Sequence, residues 1–327
     1  MREAMAAAAV GDDQFGEDPS VNRLQEHVAT LLGKESALWL PSGTMANQVA
    51  LRTLTRHGDD VVVSRESHAE WHETGASAAN AGVQLTPIGS QGVFTAEEFL
   101  EAVKPRGHLL YPPTALVEIE NTHNRSGGIV FPQAEAAKVC AAASARGIAS
   151  FLDGARLWNA AVATGRSTAE IAAPFDLVSV ALSKGLGAPA GSVLAGRNEI
   201  IERCVRYRRM LGGAMRQVGI LAAAGLYGIE HNMARLKEDH ANARLIAGKL
   251  AASERITVDL STVQTNILVF HLGPGAPDAA TVVARARERG LLLFAFGART
   301  IRAVTHLDVS RAQCAHAADL LLEIAAE

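Results

Sequence analysis

Between about residue 36 and residue 195, short apolar runs closed by turn-forming residues alternate with amphipathic stretches. No other feature narrows the possible folds as much. The runs are 37–40, 60–64, 115–120, 148–153, 177–182 and 191–195. Each is of strand length, and unbroken apolar character reads as a strand covered on both faces. Between them lie helical patterns, one carrying Val49, Leu51 and Leu54 and another running over 132–146. Strands and helices in alternation predict an α/β fold with a mainly parallel sheet flanked by helices.

The flanks extend this plan. Val21, Leu24, Val28 and Leu31 share one helical face, with Ser20 as its expected cap and Gly33 as its stop. Helices over 197–209, 217–227 and 232–252 lead to a second, smaller set of strands (265–271, 291–296, 300–304) and a last helix from Arg311. A chain of 327 residues is too long for one simple core. The expected division is a large domain over 1–230 and a smaller C-terminal α+β domain over 231–327.

Composition narrows the class. A hydrophobic share of 48% supplies a sizeable interior, and a net charge of -3 gives no reason to expect nucleic acid or an acidic membrane as partner. Cys140, Cys204 and Cys314 are far apart and form no CxxC pair, which argues against a disulfide framework or a zinc site. No apolar run reaches membrane length, and no signal-peptide pattern opens the chain. The expectation is a soluble, cytoplasmic protein.

Polar groups collect where the strands end. The run 177–182 closes on Ser183-Lys184, followed by Gly185, Gly187 and Pro189. A lysine at the mouth of a buried strand is either an amine kept neutral for Schiff-base chemistry or a side chain leaving for solvent. Ser42-Gly43-Thr44 links a strand to a helix start, where backbone N–H groups can bind an anion or simply be capped. His68 and His72 stand four apart with acids between, but as H-x-E-x-H and without a third ligand, so no metal is expected. Asp153 precedes Gly154 at a strand end and reads either as a site residue or as a helix cap. His123 follows the strand over 115–120. In a parallel sheet all these ends lie along one edge, where ligands bind. The set meets the needs of pyridoxal phosphate: a helix N-terminus for the phosphate, a histidine ring to stack, an aspartate to keep the ring nitrogen protonated and a lysine for the imine.

The chain resembles the low-specificity L-threonine aldolases, of the aspartate-aminotransferase-like fold (PLP fold type I). The motifs are G-D-D-x-x-G-E-D-P (11–19), P-S-G-T-M-A-N (41–47), E-N-T-H-N (120–124), D-G-A-R (153–156), S-K-G-L-G-A-P (183–189), M-L-G-G-x-M-R-Q (210–217), E-D-H (238–240), T-N (265–266) and V-T-H-x-D-V-S (304–310). The resemblance implies Lys184 as the Schiff-base lysine, His68 as the stacking histidine and Asp153 as partner of the pyridine nitrogen. It implies Gly43 and Thr44 as the phosphate cradle and Arg156 near the cofactor and the substrate carboxylate. Arg302 would be the main carboxylate partner, and His123 would face the substrate's β-hydroxyl. It further implies cleavage of L-threonine, L-allo-threonine or a related β-hydroxy-α-amino acid to glycine and an aldehyde, by a homotetramer with active sites at a dimer interface.

Departures are visible. An R-S-D-T segment usual ahead of Met1 is absent, Phe15 stands where tyrosine is usual, and His72 where an aromatic residue is usual. Ala214 replaces a third glycine and Arg209 a lysine. Two other readings compete: a β-eliminating amino-acid lyase on the same scaffold, and a PLP-binding homologue with reduced activity.

Overall fold

A computed structural model describes residues 1–327. The chain forms two compact units, one of Met1–Arg125 with Phe131–Met233, the other of Ser126–Val130 with Ala234–Glu327.

The first unit holds seven strands: β1 (Ser36–Leu40), β2 (Asp60–Ser64), β3 (Gln84–Ile88), β4 (Thr114–Glu120), β5 (Ala149–Gly154), β6 (Leu177–Ala181) and β7 (Ser192–Gly196). They lie in the order β1-β7-β6-β5-β4-β2-β3. From β3 to β6 every pairing is parallel, and only β7 runs against both of its neighbours. β1 therefore points the same way as β6, and the carboxyl ends of all strands but β7 share one edge. β2, β6 and β7 are buried at every residue, which explains their unbroken apolar sequence. The helix Gly43–Leu54 packs on the face bearing Leu38, Leu40, Val61, Val63, Leu116, Phe151, Leu177 and Leu194.

Three local details depart from the pattern-based reading. β3 has no counterpart among the predicted strands: it is an edge strand, half exposed and carrying Pro87, so its pattern is weak. The helix Pro19–Leu32 is capped by Asp18, not Ser20, with Pro19 at its first position. Asp18 accepts from the backbone N–H groups of Ser20 and Val21 at 3.0 and 3.1 Å and also from those of Gly11 and Gly219, so one carboxylate ties three segments. Among the helices, Gln217–Tyr227 is replaced by Gly219–Asn232, and 232–252 shortens to Leu236–Leu250.

The second unit is an antiparallel sheet of β8 (Ile256–Thr257), β9 (Ile267–Leu272), β10 (Phe294–Ala295) and β11 (Thr300–Val304), ordered β10-β11-β9-β8. The expected strand over 291–296 shrinks to two residues. Helices Leu236–Leu250, Ala279–Glu288 and Arg311–Ala326 share a core with this sheet around Leu250, Phe270, Ile301 and Leu321. The 126–130 segment joins it through Val130 N–H to Gln264 Oε1 at 2.9 Å and Thr265 Oγ1 to the Gly128 carbonyl at 2.9 Å.

Candidate active site

The carboxyl edge of the first unit's sheet carries the polar groups singled out above, with two further segments behind them. Ser42 caps the 43–54 helix by accepting from Met45 N–H at 3.2 Å. A methyl group at Gly43 would meet no atom within 4 Å, and Thr44 is exposed, so the helix N-terminus faces open space. Gly213 lies so close behind this turn that a Cβ there would be 2.2 Å from the Met45 sulfur. The 11–19 loop is fastened nearby by a buried Arg208–Asp13 pair at 3.0 Å, while Arg209 donates to Gln14 Oε1 at 2.6 Å.

Asp153 ends β5 opposite Glu120 of β4 and is 2% exposed. It caps no helix. The following helix begins only at Leu157, and Asp153 Oδ1 accepts from Ala155 N–H at 3.0 Å. Its Oδ2 accepts from the Asn47 amide at 2.8 Å, and the same amide nitrogen reaches Glu73 Oε1 at 2.8 Å. Gln48 donates to Glu73 Oε2 at 2.6 Å, and His68 Nδ1 lies 2.8 Å from Glu73 Oε1. Glu120 closes the group, accepting from His68 N–H at 2.7 Å and Asn124 N–H at 2.9 Å. Burial by itself would depress the His68 imidazole. The hydrogen bond that Nδ1–H donates to Glu73 and the charges of Asp153, Glu73 and Glu120 outweigh it and hold the ring above its ordinary value.

The other expected residues fall in two settings. His123 is fully buried, with Nε2 3.8 Å from Glu120 Oε2. Gly92, at φ +76, lies against it so closely that a Cβ would come within 2.3 Å of the ring. Lys184 is half-buried in the turn after β6, where Gly187 N–H bonds to its carbonyl at 2.9 Å and Trp158 Nε1 anchors Ala181 at 3.0 Å. Arg156 is half-buried ahead of the helix Leu157–Thr164, and His72 is exposed. Arg302 belongs to the second unit: on β11, its guanidinium sits 4.9 Å from the Phe296 ring centroid and 6.0 Å from that of Phe294. Asn47, Gln48, Glu73 and Glu120 are absent from the pattern-based candidates. Asn47 lies one helical turn beyond the S-G-T turn, and Glu73 closes the segment whose histidine spacing drew attention to metal.

These groups fit pyridoxal phosphate. Open backbone N–H groups at Gly43 and Thr44 suit its phosphate, a buried carboxylate with a donor on each oxygen suits its ring nitrogen, and the His68 side chain remains 26% exposed. A cavity of about 810 Å³ lies at the other end of the strands, lined by Asp59, Ala115, Ala149 and Asp176 and by none of these residues.

Comparison with known proteins agrees with the geometry. A sequence model of the β-eliminating lyase family matches residues 1–272. The low-specificity L-threonine aldolase of Escherichia coli K12 is 41% identical over 320 residues, spanning 97% of this chain and 93% of that protein. In structure, a threonine aldolase of Leishmania major superposes with a TM-score of 0.81 at 21% identity, covering 99% and 95% of the two chains. A protein designated SPT, solved with PLP, gives 0.74 at 19% identity over 99% and 81%. A match to most of the chain and 41% identity nearly end to end place this protein in the β-eliminating lyase family, with the low-specificity L-threonine aldolases.

Proposed function

We propose that this protein is an aldehyde-lyase of the threonine aldolase type, cleaving L-threonine, L-allo-threonine or a related β-hydroxy-α-amino acid to glycine and an aldehyde. The observation that carries the reading is the hydrogen-bonded Asp153–Asn47–Glu73–His68 cluster, found in a chain 41% identical to an L-threonine aldolase. The cofactor is pyridoxal phosphate, which when bound serves as the electron sink that lets a bond at the substrate's Cα break.

The chain's own residues supply the rest. Lys184 is the amine that would hold the cofactor, and Gly43 and Thr44 would hold its phosphate at the open helix end. Asp153 accepts from Ala155 N–H on one oxygen and from the Asn47 amide on the other, which orients the carboxylate that would partner the ring nitrogen. His68 offers its ring face while Glu73 fixes the proton on Nδ1. Arg156 and Arg302 are the candidates for the substrate carboxylate, which a guanidinium can grip with two parallel hydrogen bonds. Since His68 Nδ1 is engaged by Glu73 and its ring is assigned to stacking on the cofactor, the proposed acceptor of the β-hydroxyl proton is His123. Glu120 beside it would stabilise the resulting charge. A positioned base contributes on the order of 10²–10⁴ in rate. No helix is long and apolar enough to cross a membrane, in keeping with a cytoplasmic homotetramer with active sites at a dimer interface, which is part of this proposal.

The test follows products. Purified protein with PLP should release equal acetaldehyde and glycine from L-threonine or L-allo-threonine, and Lys184→Ala should release neither. Keto acid and ammonia would instead establish β-elimination. A coloured protein that releases nothing from these or larger β-hydroxy amino acids would leave only a PLP-binding homologue.

A further inference from the structure

Four carboxyl groups gather below the carboxyl edge of the sheet, and they are not equivalent. Glu73, Glu120 and Asp153 each receive a donor on both oxygens. Glu118 is fully buried and receives a donor on neither. It lies on β4 between Val63 and Phe151, two residues beyond Leu116 and two before Glu120. Alternation along the strand puts it on the face of Leu116, which is the face the 43–54 helix covers. That helix carries two buried acceptors that also have no partner, Oδ1 of Asn47 and Oε1 of Gln48. Both amides turn their nitrogens toward Glu73, and Asn47 toward Asp153 as well, which is why their oxygens are left over.

An ionised Glu118 would be a fourth negative charge, buried without one hydrogen bond to offset its lost hydration. A protonated Glu118 instead brings one O–H donor to the face where two amide oxygens lack one. We propose that Glu118 is a positioning residue: it holds a proton in the resting protein and donates its one hydrogen bond to an amide oxygen of the Asn47–Gln48 pair, keeping that amide's NH₂ group on its acidic partners. Burial first, and then the charges of Asp153 on β5, Glu73 beyond His68 and Glu120 on its own strand, push the Glu118 carboxyl well above the usual range. Among these neighbours His68 is the group that can carry a positive charge, its ring held above its ordinary value by the same acids. The consequence for cofactor binding rests on Asp153 as ring-nitrogen partner; the protonation of Glu118 does not.

Two substitutions separate the donor from the bulk. Glu118→Gln keeps a neutral donor, and Glu118→Met keeps volume without one. In cofactor-free protein, urea unfolding is compared between about pH 5.5 and 8. A carboxyl protonated in the fold but ionised when unfolded weakens the fold as pH rises, by a factor of about ten in the unfolding constant per pH unit. The wild type should show that slope relative to Glu118→Gln, which lacks it. Absorbance titration with PLP then reads the positioning. Glu118→Gln should bind within about twofold of wild type and Glu118→Met about tenfold more weakly, the size of one lost hydrogen bond to a charged network. Identical pH slopes for wild type and Glu118→Gln would overturn the protonation. Equal PLP affinity of Glu118→Met and Glu118→Gln would overturn the positioning role. Neither readout uses turnover, so failure of the aldolase reading would show separately, as absence of aldehyde.

Discussion

Two histidines in this protein are driven in opposite directions. His240, on the helix Leu236–Leu250, is 3% exposed and falls to about 4, first through burial and then through the positive charge of Arg244. His68, half-buried, is also penalised by lost hydration yet ends above its ordinary value, because Glu73 bonds its Nδ1 and two further acids lie close by. Asp239 precedes His240 in sequence, but adjacent residues on a helix point apart, and it contributes nothing to the shift. Burial alone makes a histidine neutral. Raising and orienting an imidazole takes carboxylates beside it, and these carboxylates in turn need donors of their own.

The contrast can be broken at its supports. The largest effect is expected from Asp153→Asn, which keeps an acceptor for Ala155 N–H but loses the charge proposed to face the ring nitrogen. The retro-aldol kcat/KM should fall by about a thousandfold, roughly 4 kcal/mol of transition-state stabilisation, with the fold intact by circular dichroism. Activity near wild type would remove Asp153 from the proposed role.

The second break lies at His240 and is read in stability. Its folded value lies below the unfolded one, so the unfolded chain takes up a proton first as pH falls. Stability is complete above about 6.5 and is lost as pH falls toward about 4, to the extent of about 3 kcal/mol. His240→Gln should flatten that part of the urea-unfolding profile, whatever its effect at neutral pH. An unchanged slope would show that His240 is not the group responsible. His68 acts with the opposite sign: its raised value stabilises the fold below its unfolded pKa and ceases to do so as pH rises through the folded one.

The smallest and most discriminating change is Glu73→Gln. It should drop the His68 imidazole from above its ordinary value to below it, toward the behaviour of His240, and reduce turnover about tenfold. Imidazole NMR titration measures the first effect directly. If His68 still titrates above its ordinary value, Asp153 and Glu120 are sufficient to hold it charged and Glu73 serves orientation.

Much of the architecture was legible because burial on both faces writes itself into sequence. β2, β6 and β7 are apolar runs because helices or neighbouring strands cover every residue, and turn residues mark where each one stops. β3 was not legible, since an edge strand with Pro87 and half-exposed side chains need not be apolar. Likewise the Pro19–Leu32 helix was legible from its apolar face, but its cap was misplaced by two residues because Asp18 and Ser20 both suit the position. Within the candidate site, residues at strand ends stood out: Asp153, Lys184 and His123 follow apolar runs where packing gives them no reason to be. Asn47, Gln48, Glu73 and Glu118 did not, because polar residues inside a helix, a loop or a strand become informative only when their partners are known.

By itself, then, the sequence determined the alternation of strands and helices, the edge along which the candidate site residues gather and the family to which the chain belongs. Those properties depend on local pattern and on short motifs. Tertiary structure alone decided which of four acids has donors and which has none, and which histidine meets a carboxylate. Those pairings depend on distances of about 3 Å between segments far apart in the chain. Folding sets such distances, and no window of sequence contains both partners.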